Sequence, residues 1–335
     1  MFSKNLNLIL QLFFILEMTK LLAATGYIGG RSSVEIVNLD DSNPNLICDN
    51  YPNLPVGLYG SVGSLLKENP IVCGGYSDKI ENRCYSFDKG AWKSILSMNA
   101  IRYAPGGISF SLTGNTKDDI FIVSSGTGSD WQTQSTVESF DGVSWNQTKF
   151  LNLPFPLTAG CMIKLSNSMM MSIGGTKKNN AIDSTGETNF LNIMKNTWVA
   201  GPLLTIPRHH HSCGVMNWKN DVTGVFEKVV VVSGGFDKQQ GSQLNSVELL
   251  FMNDYEKYNS GWKVGPNIPV KVDGPAMIEF QNGVIMIGGR GEGDGRHLYQ
   301  LSSPYGKWTE MKQTLKEPRS HFVSFLVPDN LVNCH

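Results

Sequence analysis

A pair of glycines closing a short apolar run recurs along most of the chain. It stands as Gly74-Gly75 after Ile71-Val72-Cys73, Gly174-Gly175 after Met169 to Ile173, Gly234-Gly235 after Val229 to Val232, and Gly288-Gly289 after Val284 to Ile287. Unbroken apolar stretches of this length that end in Gly-Gly read as strands buried on both faces. Glycine is needed at such an exit because the chain turns sharply beside neighbouring backbone, where a Cβ would clash. A polar loop and a second strand follow, and then a lone tryptophan in phase with the repeat: Trp92, Trp145, Trp198, Trp262 and Trp308. Four strands in a unit of about 50 residues is the signature of a propeller blade. The chain is therefore predicted to be all-β, a six-bladed β-propeller of four-stranded antiparallel blades.

Two blades depart from the pattern. Blade 3 has Ser124-Ser125-Gly126 in place of the pair, while Val137-Glu138 and Trp145 keep its phase. Blade 1 has Thr25-Gly26-Tyr27 at the glycine position, and Cys48 fills its tryptophan slot, because Pro52-Asn53-Leu54-Pro55 matches Pro266-Asn267-Ile268-Pro269 in offset. The N-terminus thus supplies only the later strands of blade 1. The stretch from His321 to Val327, which no glycine pair follows, is expected to be its missing first strand, so that the two chain ends share one sheet and close the ring. Residues 21–335 are expected to form this propeller as one domain.

The glycine pairs, the Val-Glu dipeptides (Val34-Glu35, Val137-Glu138, Val247-Glu248), the spaced tryptophans, and Pro-Arg before the next blade (Pro207-Arg208 with His211, Pro318-Arg319 with His321) resemble the kelch repeat family. The resemblance covers nearly everything from about residue 20 to the C-terminus. It implies a scaffold that carries many unrelated activities, so function has to be read from sites. Within the family, intracellular members act as substrate-recognition modules of ubiquitin ligases or bind actin, and others are oxidases or sugar epimerases. With the first blade starting so near residue 20, no BTB, BACK or F-box segment is expected, which favours a free-standing propeller.

Residues 1–20 read as a signal peptide: Lys4 precedes Leu6 to Leu16, a run too short to span a bilayer. Secretion is the expectation, with a cytoplasmic location as the alternative. The six cysteines fit an oxidising compartment. Cys73 and Cys84 face each other across a hairpin and are expected to bridge. Cys48 and Cys334 would staple blade 1 shut. Cys161 and Cys213, at like positions on the first strands of blades 4 and 5, read as buried free thiols. Asn146-Gln147-Thr148 is the one glycosylation sequon, at an expected turn. The formal net charge of -1 argues against nucleic-acid or anionic-membrane partners, and a monomer is expected.

Strand alternation sends the loop after each glycine pair and the loop between blades to one face. That face is expected to bind a protein ligand, favoured as acidic by its arginines, or a glycan, through Arg31, Arg102, Arg208, His211, Arg290, Arg296, Arg319 and His321. The competing reading makes Arg102, Arg208 and Arg319 inter-blade struts paired with Glu35, Glu138 and Glu248. His209 and His211 would share one side of a strand, but with no carboxylate nearby in sequence no metal is expected, and no cofactor. The chain lacks a nucleophile elbow, a Walker loop and a dinucleotide fingerprint, so a binding role is expected rather than catalysis.

Overall fold

The computed structural model describes residues 18–27, 32–40, 42, 48, 51–111, 113–177, 183–220 and 223–335. Five antiparallel sheets have four strands each, and a sixth has three described strands. The inner strands, which line a central channel of about 550 Å³, are Val323–Val327, Val62–Leu66, Gly106–Ser111, Cys161–Ser166, Ser212–Lys219 and Ala276–Phe280 for blades 1 to 6. In blade 1 the C-terminal strand Val323–Val327 pairs with Lys20–Ala24, which in turn pairs with Val34–Asn38. The ring closes as the repeat count requires. The expected boundary at residue 20 falls inside this sheet: Lys20 is its first strand residue, its Nζ donates to Asn38 Oδ1 at 2.7 Å, and Thr19 donates to Asp329. Most of the expected signal peptide, residues 1–17, lies outside the described residues.

The apolar runs are continuous because a blade is sandwiched between two others. Six apolar clusters fill the structure, one between each adjacent pair of blades. Successive residues of one strand feed opposite clusters: Val229 and Val231 face blade 6, and Val230 and Val232 face blade 4. The tryptophans join blades at the rim. Each indole Nε1 donates to a carbonyl in the preceding blade, Trp92 to Pro52, Trp145 to Leu96, Trp198 to Leu151, Trp262 to Pro202 and Trp308 to Pro266, at 2.8–2.9 Å. At the corresponding place in blade 1, Cys48 is bridged to Cys334.

Both glycines of a pair have positive φ, and each has its own task. A Cβ on Gly74, Gly174 or Gly288 would stand 2.7–2.8 Å from the carbonyl oxygen of Arg102, Arg208 or Arg319 in the loop entering the next blade. The amides of Gly75, Gly175 and Gly289 donate to those same carbonyls at 2.8 Å. The pair therefore lets two blades approach to hydrogen-bonding distance.

The Cys73–Cys84 bridge forms as expected. The reading of Cys161 and Cys213 as free thiols is corrected, since they are joined in a third disulfide. Neighbouring inner strands converge at the axis, which brings these two Cα atoms to 6.1 Å although 52 residues separate them and the two positions are offset by one residue in the blade register, where Cys161 matches Ser212.

Glu279 sits in the channel wall, reached by water but surrounded by protein, and accepts one hydrogen bond from Val215 N at 3.2 Å. Desolvation pushes its pKa up to about 7, against the weaker pull of that amide, Lys228 and Lys164. A folded-state pKa above the unfolded value means that the cost of the carboxylate is absent below about pH 4.5 and is complete above pH 7. Glu279→Gln is expected to stabilise the protein at pH 8 and not at pH 4.5, by about 1 kcal/mol once solvent access is allowed for. Thermal melts at the two pH values check this; an equal gain at both would show that burial of the charge is not the cause.

Candidate ligand-binding face

The chain enters each blade through a three-residue step: Leu58-Tyr59-Gly60, Arg102-Tyr103-Ala104, Leu157-Thr158-Ala159, Arg208-His209-His210, Val272-Asp273-Gly274 and Arg319-Ser320-His321. Every third residue is left-handed, with φ between 50° and 67°. Its amide donates to the carbonyl of its counterpart in the previous blade at 2.8–2.9 Å, from Gly60 through Ala104, Ala159, His210 and Gly274 to His321 and back to Gly60. Six such bonds make a closed girdle at the channel mouth. Their side chains differ: four positions are Gly or Ala, and His210 and His321 bring imidazoles.

The middle residue pairs with the first residue after the next glycine pair, as in Tyr59 with Tyr76, His209 with Phe236 and Asp273 with Arg290. Both sets of loops thus share one face. Around the mouth this builds an unbroken arc of rings. Trp131 packs on Tyr76 (centroids 6.0 Å), Tyr76 on Tyr59 (5.4 Å), Tyr59 on Tyr103 (5.6 Å) and on Tyr27 (5.2 Å). Tyr27 reaches His321 (6.4 Å), which leads to His210 (4.4 Å), His209 (4.9 Å) and Phe236 (5.6 Å). Trp131 is 53% exposed and Tyr27 42%, so the arc presents ring faces to solvent. The Arg290 guanidinium lies 5.6 Å from the Tyr27 centroid and donates to Asp273 Oδ2 at 2.6 Å.

Three of the expected ligand-binding arginines belong to the scaffold, and that expectation is corrected. Arg102, Arg208 and Arg319 are 0–1% exposed. Arg208 donates to Glu248 Oε1 (2.9 Å), to the carbonyls of Gly234 and Ser246, and to Ser246 Oγ (each 3.0 Å). Arg102 does the same with Glu138, Ser125 and Thr136, and Arg319 with Glu35, Thr25 and Ser33. The struts occupy alternate blade junctions, with Leu58, Leu157 and Val272 at the others. The guanidinium fork is spent on a carboxylate, a hydroxyl and two carbonyls, one of which (Thr136, Ser246 or Ser33) also accepts a backbone amide, so nothing of it remains for a ligand.

His211 is also buried, packed against Gly174, and desolvation pulls its pKa down to about 3. Arg296 is exposed and its side chain faces Asp294 at 3.8 Å. Arg31 lies outside the described residues. Arg290 and His321 do reach the mouth. Asp273, His210, Trp131 and the four tyrosines were not singled out from sequence, although aligning the six three-residue steps would have put Tyr59, Tyr103, His210 and Asp273 in register, and aligning the glycine positions would have done so for Tyr27 and Tyr76.

His209 and Ser184 approach like a base and a nucleophile, Nδ1 to Oγ at 2.8 Å. Burial, aided by His210, pulls His209 down to about pKa 4, far from the value a general base needs near neutrality. All six cysteines are disulfide-bonded. Burial also works to raise the Asp273 carboxyl, and the imidazoles facing it more than reverse this, holding it well below the usual carboxylate range.

No protein-family model and no curated protein sequence matches the chain. Among solved structures it is similar to that of YjhT, a propeller-type protein, with a TM-score of 0.65 at 12% identity, over 87% of this chain and 97% of that one. What the two have in common is the fold: a six-bladed β-propeller.

Proposed function

We propose that this chain is an exported, non-catalytic binding propeller of kelch type that docks a protein ligand on the mouth face. The observation that carries the reading is the arc of nine rings from Trp131 to Phe236, drawn from several blades and open to solvent at Trp131 and Tyr27. Large, rigid aromatic side chains with a nearby arginine are the residue types that dominate binding energy at protein interfaces. The arc is spread over a broad surface, whereas a small ligand would be enclosed on most of its area. A preference for acidic partners loses its support, because three of the arginines are struts and Arg290 is already paired with Asp273. Three disulfides favour an oxidising compartment. Exposure of Asn146, the sequon asparagine, supports the same reading.

The test uses the full chain, presented as an oligomer to arrays of secreted and cell-surface proteins and of glycans. Trp131→Ala with Tyr27→Ala is expected to abolish binding to a protein hit, a loss of at least about 2 kcal/mol for residues at the energetic centre of an interface, with an unchanged melting temperature. A hit that survives these changes and is lost on substituting the exposed Leu203 or Val264 instead would refute the mouth as the docking face. Hits confined to glycans would reassign the ligand class. A reporter fused to residues 1–25 and recovered from cells rather than medium would refute export.

A further inference from the structure

Within the aromatic arc, three groups from three blade junctions meet over the girdle. His210 enters from the step into blade 5, Asp273 from the step into blade 6, and His321 from the step into blade 1. Their ligand atoms all lie within 4.8 Å of one another. His321 Nε2 stands 3.2 Å and His210 Nδ1 3.5 Å from the same oxygen, Asp273 Oδ1. That oxygen is buried, on a side chain only 2% exposed, yet it accepts no hydrogen bond of normal geometry among the described residues. An orphaned carboxylate oxygen in such a place costs free energy unless something else meets it.

The geometry points to a divalent metal site formed by His210, Asp273 and His321, taking a borderline cation such as Zn²⁺ with one coordination position open to the channel mouth. Two imidazoles and one carboxylate are a donor set suited to Zn²⁺ and its transition-metal neighbours rather than to Ca²⁺ or Mg²⁺. The two nitrogen-to-oxygen separations match the edge of about 3.3 Å in a tetrahedron with bonds of 2.0–2.1 Å. Asp273 Oδ2 is held by Arg290 at 2.6 Å, which fixes the carboxylate with Oδ1 turned toward the imidazoles. An outer partner of this kind commonly orients metal-ligating carboxylates. The backbone reinforces the arrangement, because His210 and His321 stand at equivalent girdle positions, with the girdle bonds of Gly274 linking them: Gly274 N donates to His210 O, and His321 N to Gly274 O, both at 2.8 Å. The other girdle residues, Gly60, Ala104 and Ala159, offer no donor atom, and this leaves the fourth position free. The positive charge of Arg290 partly cancels that of Asp273, so the affinity should be moderate. The site stands whether or not a protein docks on the arc, since metal uptake is read without one.

Tag-free full-length protein, stripped with chelator and titrated calorimetrically with Zn²⁺, should bind one equivalent. Cobalt substitution should give visible absorption bands of a nitrogen–oxygen site. His210→Ala and Asp273→Asn should each weaken binding by at least about 10-fold and remove the cobalt bands. His210 is partly exposed, so its variant should fold and carries the test if Asp273→Asn does not. His297→Gln should change nothing, although that histidine faces Asp294 and Glu310 elsewhere on the surface. No uptake by the wild type, uptake retained in His210→Ala, or uptake lost in His297→Gln would each overturn the assignment.

Discussion

Arg208→Met is expected to destabilise the propeller by about 3–5 kcal/mol, the range for removing one partner of a buried ion pair. The variant loses more than a charge. Glu248 would remain, 2% exposed, with only the amides of Thr205 and Ile206 to hold its carboxylate, and the carbonyls of Gly234 and Ser246 would lose a donor. Denaturant unfolding should show the midpoint falling without binding having been touched. The double variant Arg208→Met with Glu248→Gln removes the stranded charge while its one amide oxygen keeps the hydrogen bond from either Thr205 or Ile206, which use different carboxylate oxygens in the wild type, and should recover about 1 kcal/mol. A single variant as stable as wild type would return Arg208 to the set of ligand candidates.

Replacing Cys48 and Cys334 by serine should cost about 5 kcal/mol, more than replacing Cys73 and Cys84 at about 3 kcal/mol. The ordering follows from sequence separation, 286 residues against 11. A cross-link between the chain ends removes far more freedom from the unfolded chain than one across a hairpin. The Cys48–Cys334 bridge also stands where the other blades have an indole latch, so its loss leaves blade 1 without a latch of its own, and the Trp92 indole bond to Pro52 remains as its tie to blade 2. Equilibrium unfolding of the two double variants decides it; the reverse order would mean that the unfolded chain already keeps its ends together.

The architecture was legible because it is written in short-range, repeated terms. A strand between two neighbouring blades must be apolar on both faces, a blade exit in contact with backbone must be glycine, and each rim turn has an indole to latch it. These requirements recur at one period, so five tryptophans and four glycine pairs established the phase, and Cys48 could be recognised as a substitute in blade 1. The strut arginines could be seen as repeated but not assigned: Pro207-Arg208 and Pro318-Arg319 carry no sign of whether the guanidinium turns inward. Burial decides that, and Ser246 with Glu248, and Ser33 with Glu35, supply the partners.

Cys161 was misread for a related reason, since its distance to Cys213 depends on how tightly two inner strands converge at the axis. The His210, Asp273 and His321 cluster was hidden further still. Its members are far apart in the chain, and although His321 was an expected ligand-binding residue, nothing in its own loop pointed to His210 or Asp273. Sequence by itself determined the strand count, the blade phase and the closure of the ring, because these follow from local periodicity and from which residues a sandwiched strand tolerates. Tertiary structure alone decided which polar groups face the mouth and which are consumed inside, because that depends on circular closure bringing equivalent loop positions from different blades within reach of one another.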